Sequence, residues 1–228
     1  MKKSIAFLPK KNREDLKYLV ELILDKIPVC EMIILYGSYA RGTYVSYDER
    51  EEFGIPTSFK SDYDILVINS AWGYEKIENK LVSVRNIYDK RGDHRYRVPV
   101  QFIHDSIKKV NEDLKYSRYF YTELKRDGIM LYNSGNNKLA RRKPLNFGEI
   151  KKQGEEYFRY AEHILKQLSS DDYLAQEGEN HGFILLHSVG SFPHDSEIDT
   201  PLNYADYYYL EALKRYKDLK EKSENPSY

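Results

Sequence analysis

The residues Ile33-Ile34-Leu35-Tyr36-Gly37-Ser38-Tyr39-Ala40-Arg41-Gly42 carry an apolar run into Gly-Ser. Ser61-Asp62-Tyr63-Asp64-Ile65-Leu66-Val67 then open a second apolar run with two carboxylates one residue apart. Side chains two apart on a strand share a face, so Asp62 and Asp64 are expected to project together. Two like charges so close are costly unless a cation lies between them. A hard divalent ion such as magnesium takes one or two carboxylates together with substrate phosphates. Gly37 lets the backbone approach a ligand closely, and Ser38 adds a hydroxyl where a helix is expected to begin. Phosphate at Gly37-Ser38 and metal at Asp62 and Asp64 is an arrangement for phosphoryl or nucleotidyl transfer.

The order of apolar residue, Gly-Ser, spacer, and Asp-apolar-Asp-apolar resembles the signature of the DNA polymerase β-like nucleotidyltransferase superfamily. Ala40-Arg41-Gly42 brings it nearer to the small bacterial minimal and kanamycin-type nucleotidyltransferases. Gly-Ser alone is uninformative and Asp-x-Asp alone is weak; joined, each on its own apolar strand, they are specific. The bland alternative is a plain strand-to-helix turn beside solvated aspartates. The spacer between Ser38 and Asp62, residues 39–61, is longer than that family's, so Tyr44 to Lys60 must loop out and return.

The resemblance implies transfer of a nucleoside monophosphate from a nucleoside triphosphate, in the first instance ATP, to a hydroxyl of a small molecule or a protein. It implies two Mg2+ (or Mn2+) ions held by Asp62 and Asp64, which are also the catalytic carboxylates, with the β,γ-phosphates on Gly37 and Ser38. Arg41 reaches a phosphate or pairs with an acidic neighbour. The family adds a third carboxylate on a later strand. The matching strand here, Val98 to Ile103, carries no acid, and Gln101 is the expected occupant of that position. An amide coordinates metal but takes no proton. The alternative function is therefore a catalytically weak or inactive nucleotide-binding, regulatory protein of toxin–antitoxin type, acting through its helical tail.

Composition narrows the partners. The 228 residues hold 36 basic and 36 acidic side chains, so no global field points to nucleic acid. The mean hydropathy is −0.71, and 22 tyrosines can bury a ring while keeping a hydroxyl wet. Cys30 is the single cysteine, which excludes an internal disulfide. Residues 1–9 begin like a signal peptide, but the apolar run is too short, and no run approaches transmembrane length. A cytoplasmic protein without a membrane partner is expected.

The pattern predicts an α+β fold. A helix over Asn12–Ile27, capped by Asn12 with Asp15, leads to a strand at Met32–Tyr36 and a brief helix at Ser38–Gly42. Tyr44–Lys60 reads as a loop, Asp62–Asn69 as a strand and Tyr74–Lys90 as a helix. A basic turn at Arg91–Arg97 precedes a strand at Val98–His104, with Pro99 suggesting an edge. Asp105 is expected to cap the next helix. A further helix is expected from about Ser117 to Asp127, with Gly128 as its C′ residue, and Ile129–Tyr132 makes a fourth strand. Helices are expected on one face of the sheet.

The domain expectation is a nucleotidyltransferase domain at 1–135, a linker at 136–147, and a helical segment at 148–228. Its helices are expected at Glu149–Leu168, Tyr173–Val189 and Leu202–Lys222, with Ser188–Thr200 irregular. A nucleotidyltransferase followed by helices resembles a bacterial fusion to a HEPN domain (higher eukaryotes and prokaryotes nucleotide-binding), here incomplete. Tyr119-Phe120 and Gly128 to Gly135 carry part of that resemblance. HEPN ribonucleases use Arg, four to six residues, then His. Arg159 and His163 are one residue short of that spacing, and His181 and His187 lack a suitable Arg. Tyr157, Ala161, Ile164 and Leu168 on the first tail helix should pack on Leu210, Leu213 and Tyr216 of the last. The surplus apolar surface would be covered by the first domain or, through a homodimer, by a second tail.

Overall fold

A computed structural model describes all residues except 3, 53–54, 93–96, 192–195 and 225–228. The chain divides into two units, Met1–Leu145 and Asn146–Tyr228. The first is α+β. Its elements run α1 (Lys10–Lys26), β1 (Cys30–Tyr36), α2 (Gly37–Arg41), β2 (Asp48–Glu52), β3 (Ile55–Phe59) and β4 (Tyr63–Asn69). They continue through α3 (Tyr74–Asp89), β5 (Val100–Ser106), α4 (Ile107–Lys115), α5 (Tyr119–Asp127) and β6 (Ile129–Asn133). Four strands form one mixed sheet in the order β5-β4-β1-β6. β1 pairs antiparallel with β4 and β6, and β4 pairs parallel with β5. β5, the strand preceded by Pro99, is an edge, as Pro99 suggests.

β1 and β4 carry the unbroken apolar runs of the sequence, Met32–Leu35 and Ile65–Ile68, because both their faces are covered. Ile33, Leu35, Ile65 and Val67 pack with Leu16, Leu19 and Ile23 of α1 and with Ile77, Leu81, Val84 and Tyr88 of α3. On the other face, Met32, Ile34, Leu66 and Ile68 meet Val110 and Leu114 of α4 and Tyr121 and Leu124 of α5. The helices thus lie on both faces rather than one. Alternation within each strand sends half of its apolar residues to each side, and one layer of helices cannot cover both.

Several local expectations change. α1 starts after Pro9 with no side-chain cap, and Asn12 instead donates to the Tyr63 hydroxyl at 2.7 Å. The cap of α4 is Ser106, whose hydroxyl accepts from the Lys109 amide at 3.2 Å; Asp105 lies inside β5 and accepts from the Tyr121 hydroxyl. α5 ends at Asp127 with Gly128 following, as expected, but Gly128 has φ −65° and so does not take the left-handed conformation usual for a glycine there. It is needed for space: a Cβ there would lie 2.4 Å from the Leu124 carbonyl oxygen and 3.0 Å from Ile34. The basic turn falls largely on residues outside those described.

The spacer is not a loop throughout. β2 and β3 pair antiparallel as a hairpin. At its foot Val45 N donates to Ser61 Oγ and Ser61 N donates to the Val45 carbonyl, both at 2.9 Å. Tyr44 stacks on buried Tyr39, with centroids 4.1 Å apart, and Tyr39 meets Tyr63 at 4.6 Å. The insertion therefore leaves and rejoins the sheet at one closed stem, and the β1–β4 pairing continues undisturbed from Met32 to Tyr36.

The second unit has two long helices, α6 (Phe147–Leu168) and α7 (Asn203–Glu224), and a small hairpin of β7 (Val189–Ser191) and β8 (Ser196–Ile198). Asn146 and Glu149 form a capping box at the start of α6. The helix expected over Tyr173–Val189 is absent among the described residues. That stretch holds only a three-residue 3-10 turn, with Asn180 and His181 at φ 51° and 54°. Asp206 of α7 holds it in place, accepting from the Ile184 and Leu185 amides at 2.8 and 2.9 Å. Leu165, Leu185 and Tyr209 form the buried cluster. Of the residues expected at this contact, Leu168, Leu213 and Tyr216 do pack against that cluster, whereas Leu210 is 50% and Tyr157 49% exposed. Tyr216 also stacks on Phe158 at 5.3 Å.

Candidate functional site

The site forms where β1 ends and β4 begins. Tyr36 closes β1, and the chain turns at Gly37, with φ +70°, into the five-residue α2. Strand register sets Tyr36 opposite Asp64 and Asp64 opposite Gln101. Paired residues on adjacent strands share a face, so Tyr36, Asp64 and Gln101 form one row across β1, β4 and β5. The row two residues along, Ile34, Leu66 and Ile103, belongs to the cluster under α4 and α5. The carboxylate therefore emerges on the α4–α5 face of the sheet.

Gly37 and Asp64 touch. A Cβ at position 37 would lie 1.9 Å from Asp64 Oδ2 and 2.8 Å from its Cγ, so only glycine lets the carboxylate sit against the turn. Burial at the start of β4 alternates as expected: Tyr63 is buried, while Asp62 and Asp64 on either side of it are half-buried. The Asp64 carboxyl is pushed up to about 6, first by burial and then by the Asp62 charge, with Arg41 opposing. Burial, followed by Asp64 and Asp62, also raises the Tyr36 phenol.

Arg41 is exposed at the end of α2, and its charge acts on both Asp64 and Asp127. Ser38 is half-buried in the turn, and its carbonyl accepts from the Gly42 and Thr43 amides at 2.9 and 3.0 Å. Gly42 closes α2 in the left-handed region at φ 80°.

This donor set fits a divalent cation: two mutually repelling carboxylates, one held well above its ordinary pKa, beside an amide in register. Asp62 and Asp64 would hold the ion, with Gln101 next in the row. Among the described residues no group of three or more His, Cys, Asp or Glu side chains comes together to hold a metal.

Sequence reasoning brought together Gly37, Ser38, Arg41, Asp62, Asp64 and Gln101, and missed the aromatic side of the turn. Tyr36 packs edge-on against Phe120, with centroids 5.6 Å apart. A cavity of about 290 Å³ lies between the turn and α5. Its signal in the sequence is only two adjacent aromatics, Tyr119-Phe120, far along the chain.

No family model matches the chain. Among curated proteins, 63 residues, 28% of the chain, are 48% identical to an unsaturated glucuronyl hydrolase of Formosa agariphila, and the chain spans 16% of that protein's length. A solved unsaturated glucuronyl hydrolase specific for heparin aligns with 32% of this chain and 20% of its own, at 63% identity and a TM-score of 0.29. The spectinomycin adenyltransferase of Enterococcus faecialis, solved with ATP and spectinomycin, aligns over 70% of each chain at 15% identity and a TM-score of 0.40. No helix among the described residues is long and apolar enough to cross a membrane.

Proposed function

We propose that the first unit is a nucleotidyltransferase of the polymerase β-like kind, moving a nucleoside monophosphate from a nucleoside triphosphate to a hydroxyl. The observation that carries this reading is the seating of Asp64 against Gly37, with Asp62 one residue before Tyr63. Phosphate groups on the Gly37-Ser38 turn would then lie beside the carboxylate pair. Magnesium or manganese at Asp62 and Asp64 supplies charge neutralisation on the triphosphate when bound.

The protein's own part is positioning. The turn and Arg41 hold phosphate oxygens, and the row Tyr36–Asp64–Gln101 fixes the direction from which the acceptor approaches. The acceptor oxygen bonds to the α-phosphorus, the bond to the bridging oxygen of the β-phosphate breaks, and pyrophosphate leaves with that electron pair. The acceptor's proton must go to Asp62, Asp64 or water, because the amide of Gln101 cannot take it. That feature favours a second reading: a nucleotide-binding, regulatory protein that turns over slowly or not at all. The acceptor is a small molecule or a protein side chain. The hydrolase likeness spans too little of that enzyme to support its activity here.

Incubation of the full chain with each labelled nucleoside triphosphate and Mg2+, reading pyrophosphate release and label on the protein, separates these readings. Release with label transferred supports the enzyme; binding without release supports the regulatory protein. Neither binding nor release would remove both.

A further inference from the structure

We propose that the groove between the Gly37 turn and the start of α5 is the nucleobase subsite, in which the base stacks on Phe120 and Tyr119. The proposal rests on the nucleotide reading above and adds where the base goes. The groove is bordered by Tyr36, Gly37, Arg41, Tyr119, Phe120 and Asp127, and encloses about 290 Å³. It shares Gly37 and Arg41 with the turn assigned to phosphate, so a ligand anchored there has its next group within reach. Its volume lies at the lower end of small-molecule sites and suits one flat ring system rather than a whole nucleotide.

Its lining has the right chemistry. Tyr119 is 70% and Phe120 40% exposed, large rings left in water beside a polar turn. Phe120 is held edge-on by Tyr36, at 5.6 Å and 89°, and by Tyr121, at 5.0 Å and 79°. That packing fixes a platform before any ligand arrives, which lowers the ordering cost of binding. Tyr36 joins platform to carboxylates, since it pairs with Asp64 across β1 and β4. Bases stack on aromatic rings largely without regard to their identity.

Calorimetry on the full chain with Mg2+ tests this by comparing ATP, GTP, CTP and UTP with inorganic tripolyphosphate, which has the phosphates but no base. The wild-type chain should bind each nucleotide about tenfold more tightly than tripolyphosphate, at the lower end of what one stacked base contributes. Phe120→Ala combined with Tyr119→Ala should abolish that advantage and leave tripolyphosphate affinity unchanged, whereas Phe120→Trp should retain it. Equal wild-type affinity for nucleotides and tripolyphosphate would overturn the subsite while sparing the phosphate site. So would an advantage that survives in the double variant. Binding of neither ligand to the wild-type chain would instead sink the nucleotide reading, and the subsite with it. The wild-type comparison needs no variant to fold.

Discussion

At Gly37 two constraints coincide. The backbone sits at φ +70°, which costs an L-residue roughly 1–2 kcal/mol, and any Cβ would overlap Asp64. Gly37→Ala should therefore lower stability by about 1–2 kcal/mol and also move Asp64. Thermal melts with and without nucleotide and Mg2+ check both: the apo melt should drop by a few degrees and the ligand-induced rise should vanish. Asp64 itself makes a pH-dependent contribution. Its carboxyl titrates at about 6 in the folded chain against an ordinary 3.8, so between those values the folded state binds more protons than the unfolded one. Stability therefore falls as pH rises through that window, and the cost is complete above it. Asp64→Asn should raise apo stability at pH 7 by roughly 1–2 kcal/mol after solvent screening, with little change near pH 4. It should also remove most of the stabilisation that Mg2+ with nucleotide provides. A melt that responds to Mg2+ and nucleotide equally in wild type and Asp64→Asn would place the metal elsewhere.

At the level of elements, the register of β5 against β4 is what gives Gln101 its meaning. A one-residue slip would turn Gln101 to the opposite face, and the sequence alone leaves that choice open. The pairing of Asp64 with Gln101 and of Tyr63 with Val100 settles it. Gln101→Glu or Gln101→Asp should accordingly raise pyrophosphate release if turnover is limited by the missing carboxylate. Unchanged or lower release would mean that acceptor or water fills that role. The hairpin of β2 and β3 was hidden for a related reason. Asp48–Glu52 and Ile55–Phe59 lack the alternation that marks a half-buried strand, so periodicity gives no signal for them. The missing helix at Tyr173–Val189 failed differently. Its backbone is held instead by side chains, with the Asp206 carboxylate accepting from the Ile184 and Leu185 amides and Asn180 Nδ2 donating to the Leu185 carbonyl, an arrangement that competes with helix.

For the whole molecule, the second unit is short of core. Beside its buried cluster lies an open, apolar-lined cavity of about 690 Å³, while Phe147 is 82%, Tyr160 68%, Tyr208 64% and Leu219 55% exposed. Small domains are marginal even when complete, and pairing with a second copy is the commonest way to cover a surplus face. The full chain should therefore run as a homodimer by light scattering or native mass, and Tyr208→Glu with Leu219→Glu should shift it to monomer. A monomeric wild-type chain, together with a soluble, folded fragment 146–228, would refute this.

Composition and periodicity alone determined what depends on near neighbours in the chain. These were the two buried strands, the glycine that must follow the first, the paired aspartates that open the second, and the amphipathic helices α1, α3, α6 and α7. Each is read from spacing, because strand and helix geometry repeat over a few residues. Only the tertiary structure decided what depends on pieces distant in sequence. It put helices on both faces of the sheet, closed the insertion between Val45 and Ser61, aligned Gln101 with Asp64, and brought Phe120 to Tyr36. Those contacts are set by register and packing across the sheet, and a linear pattern carries no record of which distant residues will meet.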